Sequence, residues 1–239
     1  MLAVLILAAT PLLARDRNGV LLTNENQEGT HAEKASRKAI KKEQDDALKA
    51  LKSGNQYHVK HLKGHPSDPK IMVVSCADAH VPPEDVFHMG QGKLYTNRAW
   101  GNMVDKVLLG SLEYGVDQLG CRVLVVMGHS DCTAVREAIA EYEHPRQVWS
   151  SLNAKALYEE LKPGVAEMEE AQVKTEAQVG KRLEGKDLAD AVIKNNVLNT
   201  IHAIRQKSAL IWHKEYTDEL KIVGCIYHKD TGAVEWLSQ

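Results

Sequence analysis

Aromatic side chains are scarce here: one Phe, four Trp and seven Tyr in 239 residues. That is too few for the stacked platform on which proteins hold single-stranded nucleic acid. Neither sign of charge is in excess, since 30 Lys and Arg stand against 32 Asp and Glu for a net charge of −2. The balance gives no electrostatic case for nucleic acid or an anionic membrane surface. Four cysteines in a chain this long do not make a disulfide scaffold. No G-x-G-x-x-G follows the first strand-like run, which removes a dinucleotide-binding reading. Long hydrophobic runs are also missing. The apolar stretch Leu2 to Ala14 is too short to span a bilayer as a helix.

That stretch has the length of the hydrophobic part of a secretory signal, with cleavage after Ala14. No Lys or Arg precedes it, and Leu12 is a poor residue three places before the cut. Secretion or delivery to an organelle is the expectation for residues 1–14, with cytoplasmic residence as the alternative. Residues 15–55 read as a linker and an amino-terminal helical arm. Polar residues with Asn-Gly and Gly-Thr dominate up to about 32, then Ala, Leu, Lys and Glu favour helix from Glu33 to Ser53. Gly54-Asn55 is the expected stop, and Ala47, Leu48 and Leu51 form an apolar stripe that needs a partner surface.

Residues 56–239 are long enough for one α/β domain with a sizeable core. Strand-like runs fall near 70–76, 93–98, 122–128, 221–228 and 233–238. Helical patterns fall at Val104 to Leu119, Ala134 to Glu143 and within 150–175 and 186–215. Strands alternating with helices imply parallel βαβ units. Asp230-Thr231-Gly232 is a hairpin signal that makes the last strand an antiparallel edge.

The chemistry-bearing residues sit where two of these runs end. Cys76-Ala77-Asp78 closes the run Ile71 to Val74, and His129-Ser130-Asp131-Cys132 closes Val123 to Met127. Residues just past the carboxyl ends of parallel strands line the ligand crevice of an open α/β sheet. Residues two apart on a strand share a face, so Cys76 and Asp78 aim together. His129 and Cys132, three apart, meet if the chain turns into a helix after Gly128. Cys76, Asp78, His129 and Cys132 thus form a set of four ligands for one tetrahedral ion, and thiolate with imidazole selects zinc over magnesium or calcium. Either C-x-D or H-x-x-C alone is a weak signal; both, in order and at strand ends, are much stronger. A closed zinc that only staples the fold is the alternative to a catalytic one. Cys121 and Cys225 read as buried thiols, and His58, His61 and His65 as solvated residues of a polar loop.

In these motifs the chain resembles the β-class carbonic anhydrases. The resemblance lies in Cys76-Ala-Asp78-Ala-His80 and His129-Ser-Asp-Cys132, with Val81-Pro82-Pro83-Glu84, Ser111-Leu112-Glu113-Tyr114 and Leu51-Lys-Ser-Gly54-Asn55 agreeing around them. It implies four parallel strands with an antiparallel edge, helices on both faces, and homodimers or higher homo-oligomers with amino-terminal helices packed across the interface. It implies zinc on Cys76, His129 and Cys132, water as fourth ligand, Asp78 orienting that water, and reversible hydration of carbon dioxide to bicarbonate. Two departures stand out. His80 occupies the place of an arginine that, in the family, pairs with the aspartate and keeps it off zinc. An imidazole replaces a permanently charged, bidentate guanidinium poorly. On this reading Asp78 can stay on the metal and hydration is weak; His80 becomes the replacement partner for Asp78 or a proton shuttle. Trp100 stands where a small residue is usual, either reshaping the active-site wall or filling a core gap. A carbonyl sulfide or carbon disulfide hydrolase, and a non-catalytic zinc protein supporting assembly, are the competing functions.

Overall fold

The computed structural model describes residues 31–61, 64, 67–179 and 183–237. The expected leader, most of the polar linker before the arm, and His65 lie outside them. The chain divides into two units. One holds the first helix, α1 (His31–His61), with residues 149–152; the other falls within His65–Val148 and Asn153–Gln239 and contains the sheet.

The sheet follows from apolar runs with few polar interruptions. Strands β1 (Ile71–Cys76), β2 (Leu94–Ala99), β3 (Val123–His129), β4 (Lys221–Tyr227) and β5 (Val234–Trp236) lie in the order β2-β1-β3-β4-β5. The first four are parallel and β5 runs antiparallel to β4. Met72, Val73, Val74, Leu124 and Val126 are fully buried, as expected of central parallel strands covered on both faces. The turn into β5 closes with Gly232 donating to the carbonyl of His228, and Gly232 takes the positive φ of 73° such a turn needs. The fold class is the one the sequence leads one to expect.

Helices follow the strands: α2 (Pro83–Val86), a 3₁₀ turn at Trp100–Asn102, α3 (Lys106–Asp117), α4 (Thr133–Glu143), α5 (Leu152–Val179), α6 (Gly185–Lys207) and α7 (Ala209–Tyr216). Asp105 caps α3 by accepting from the Leu108 N–H at 2.7 Å. α6 lies across β3 and β4, where Gly128 and Gly224 leave room for Val197. Among the described residues no helix is long and apolar enough to cross a membrane.

Two boundaries differ from the sequence expectation. α1 continues past Gly54-Asn55 to His61. A helical glycine costs about 1 kcal/mol relative to alanine, a penalty rather than a stop, and no proline follows within the helix. His58 and His61 therefore lie on a helix rather than in a loop, and His61 stacks on Tyr57 with ring centroids 3.9 Å apart. The region 186–215 is two helices, broken at Ser208 (φ −122°, ψ 102°). The buried Ser208 hydroxyl donates to Glu113 at 2.6 Å and accepts from the Ile211 N–H at 3.2 Å. It caps the new helix instead of continuing the old one.

Gly128 is the tightest point between sheet and α6 that also borders the predicted site. A Cβ there would stand 2.8 Å from Val197 Cγ2 and 3.1 Å from Ile226 Cδ1. Gly128→Ala is expected to cost about 1–3 kcal/mol of stability through overpacking, read from urea denaturation. An unchanged midpoint would show that α6 yields without strain.

Candidate metal centre

β1 and β3 are hydrogen-bonded neighbours, with Ser75 opposite Met127 in register. Their carboxyl ends therefore bring Cys76 and His129 side by side. The chain then turns through Asp131, at a positive φ of 52°, and Cys132 becomes the N-cap of α4. The result is one buried group, Cys76, His129 and Cys132, whose ligand atoms all lie within 4.8 Å of one another. The three lie between 1% and 3% exposed.

The imidazole is oriented by the backbone. His129 Nδ1 lies 3.0 Å from the carbonyl of Ser130, which can only accept, so Nδ1 carries the proton. Nε2 is then left with a free lone pair, and it is buried without any hydrogen-bond partner. A buried, unsatisfied nitrogen costs stability unless something else fills its coordination. Facing two cysteine sulfurs, it has the orientation of a metal ligand whose other nitrogen is fixed by a carbonyl.

The sulfurs are unequal. The Cys132 thiol donates to Cys76, which holds the Cys76 thiol well below its ordinary pKa despite burial; the adjacent His129 ring, and then the Gly101 N–H 3.3 Å from Cys76 Sγ, add to the effect. Cys132 is pushed up by the same sharing and by burial. One proton is thus held between two sulfurs, and a cation is what would let both ionise. Gly101 is well suited to deliver its N–H: it sits at a positive φ of 69°, and a Cβ would stand 3.2 Å from Ala134 and Leu161. Asn196 holds its carbonyl at 2.8 Å.

β1 ends at Cys76, so Asp78 lies in the loop beyond rather than on the strand. Arg98 of β2 shapes this loop by donating to the carbonyls of Cys76, at 3.0 Å, and Asp78. The Asp78 carboxylate is not in the tight group of three, although Oδ2 is 4.0 Å from His129 Nε2. Oδ1 accepts from the His80 backbone N–H at 2.8 Å and lies 3.1 Å from His80 Nδ1. Oδ2 faces Lys229 Nζ at 3.6 Å. Burial raises the Asp78 pKa, but the two His80 contacts and then the Lys229 charge outweigh it, so the carboxyl is held below its ordinary value. The His80 side chain is 81% exposed.

Trp100 packs partly buried against the core and meets Tyr158 of α5 edge-on, with centroids 5.2 Å apart. The other two cysteines stand apart and all four are free. Cys121 donates to the Pro69 carbonyl at 3.1 Å, and burial pushes the Cys225 thiol up to about 12. Sequence reasoning missed the roles of Arg98 and Gly101, though both lie within two residues of Trp100, which it singled out, and missed Lys229 altogether. Its signal, a lysine just before a hairpin turn, is too common to be noticed alone.

Comparison with known proteins agrees with this geometry. The family profile described as carbonic anhydrase matches residues 71–234. Over 201 residues the chain is 30% identical to carbonic anhydrase 2 of Mycobacterium tuberculosis, covering 78% of this chain and 89% of that protein. Over 202 residues it is 28% identical to a carbonic anhydrase of Mycolicibacterium smegmatis, covering 79% and 91%. Among solved structures, one from work on two tetrameric β-carbonic anhydrases of the filamentous ascomycete Sordaria macrospora superposes with a TM-score of 0.60. That match has 17% identity and covers 85% of this chain and 98% of the other, a likeness of fold. With the profile spanning β1 to β4 and both metal-ligand motifs, the chain belongs to the β-class carbonic anhydrase family.

Proposed function

We propose that this protein catalyses the reversible hydration of carbon dioxide to bicarbonate, with one zinc ion held by Cys76, His129 and Cys132. The observation that carries the reading is His129 Nε2, buried and unpartnered, within 4.8 Å of two cysteine sulfurs. Two thiolates and an imidazole suit zinc and leave a fourth position free. Zinc there would supply Lewis acidity, lowering the pKa of water enough to provide hydroxide near neutral pH. The remaining work belongs to the chain. Asp78, ionised and therefore an acceptor, takes a hydrogen bond from the attacking water and aims its lone pair at the carbon. Hydration converts carbon dioxide and water into bicarbonate and one proton, and that proton has to leave. His80 touches Asp78 and is largely exposed, so its imidazole can pass the proton to buffer. Stopped-flow hydration of carbon dioxide tests the reading; a zinc-loaded protein without measurable hydration would overturn it.

The reading includes a homo-oligomer. Leu48 and Leu51 on α1 are 50% and 72% exposed, and Val107 on α3 is 81% exposed. Apolar surface of this kind is what a second copy covers in a symmetric assembly. Deleting residues 1–50 is expected to lower the oligomer mass or the solubility. A monomer by light scattering for the intact chain would count against it.

Zinc content follows from the donors. About one zinc per chain is expected, lost in Cys76→Ser and in Cys132→Ser, by elemental analysis. Because one proton lies between Cys76, whose pKa is lowered, and Cys132, whose pKa is raised, binding near neutral pH should release at least about one proton, and affinity should fall as pH falls. Calorimetry in two buffers of different ionisation heat reads this number. Binding without proton release would mean that the sulfurs hold none between them.

A further inference from the structure

Asp78 poses a problem that its own neighbours do not solve. A carboxylate 4.0 Å from the imidazole nitrogen of a three-donor group is placed to become a fourth protein ligand. A group closed by four protein ligands has no position left for water. Some opposing attraction has to keep the carboxylate turned away. His80 contributes two contacts, but its ring is largely exposed and carries charge only when protonated.

From the geometry we infer that Lys229 is the positioning residue that holds Asp78 off the metal and so keeps the fourth position open. The inference rests on the functional reading above. Lys229 leaves the end of β4 at the other side of the crevice, and its ammonium stands 3.6 Å from Asp78 Oδ2, the oxygen nearer the donors. It is fixed at both ends. The Lys229 backbone N–H donates to Ser130 Oγ at 2.9 Å, and its Nζ donates to the Asp131 carbonyl at 3.1 Å. The side chain is 22% exposed, so its charge is less screened than that of a free surface lysine. Asp131 has a nearer cation of its own. The Asp131 carboxylate takes Arg136 at 2.9 Å and lies 3.9 Å from Lys229 Nζ. The ammonium therefore pulls one Asp78 oxygen while His80 holds the other.

The test separates this role from a merely structural one because its two readouts move in opposite directions. In Lys229→Met, Asp78 is released onto the metal. Zinc should be held more tightly in chelator competition, while hydration of carbon dioxide falls at least roughly tenfold. Thiocyanate, as a probe of the open position, should shift the visible spectrum of the cobalt-substituted variant less than that of the unmodified protein. Lys229→Arg should recover most of the lost rate. In a His80→Arg background the new guanidinium stands beside Asp78, so Lys229→Met should then cost much less than it does alone. Should Lys229→Met fail to fold, Lys229→Gln takes its place in the same comparisons. Loss of activity with looser zinc and no rescue by arginine would overturn the inference, as would unchanged activity and zinc affinity. An unmodified protein that binds zinc but does not hydrate carbon dioxide overturns the functional reading instead.

Discussion

The parallel pairing of β1 with β3 is the constraint on which the rest depends. Five register pairs, from Ile71 opposite Val123 to Ser75 opposite Met127, bring the two strand ends level. Because side chains alternate along a strand, a slip of one residue would send every side chain to the other face. The strand ends that carry Cys76 and His129 would then be displaced along one another by a residue. The fully buried Met72, Val74, Leu124 and Val126 hold that register by their packing. The core thus determines the spacing of the donors, and the donors add little of their own to the alignment.

Around that frame the charges are arranged in two tiers. Deep in the crevice, Cys76 and Cys132 share a proton, with the Gly101 N–H and the amino end of α4 favouring negative sulfur. At the mouth, Asp78 lies between His80 and Lys229, and Asp131 between Arg136 and Lys229. The inner tier needs a cation, while the outer tier already has its cations. By this difference a divalent ion would suit the sulfurs better than the two aspartates.

Much of this was legible beforehand, for identifiable reasons. Buried parallel strands announce themselves as unbroken apolar runs, so the residues at their ends, Cys76 and His129, could be placed together from spacing. Cys132 followed from the turn into a helix. The electrostatic surroundings of Asp78 were not legible, because Lys229 reaches it from β4, far away in sequence, and a single lysine carries no pattern. Considered alone, His80 reads as the loss of a fixed charge; the three-dimensional arrangement adds another charge at the same carboxylate. The overrun of α1 past Gly54 and the break at Ser208 escaped for the opposite reason. Local propensity points one way there, while tertiary partners such as Glu113 decide the outcome.

The link between Ser130 and β4 has a consequence for the order in which the protein can assemble. The His129 tautomer depends on the Ser130 carbonyl, and Ser130 is itself pinned by the Tyr227 carbonyl at 2.9 Å and the Lys229 backbone N–H. A chain growing from its amino end has presented all three donors by Cys132, long before β4 is synthesised. Until then the thiols and the imidazole are loose ligands, open to any soft metal that arrives. The last parallel strand to be made therefore orders the imidazole, so the donor set takes its final geometry late, when the sheet is nearly complete.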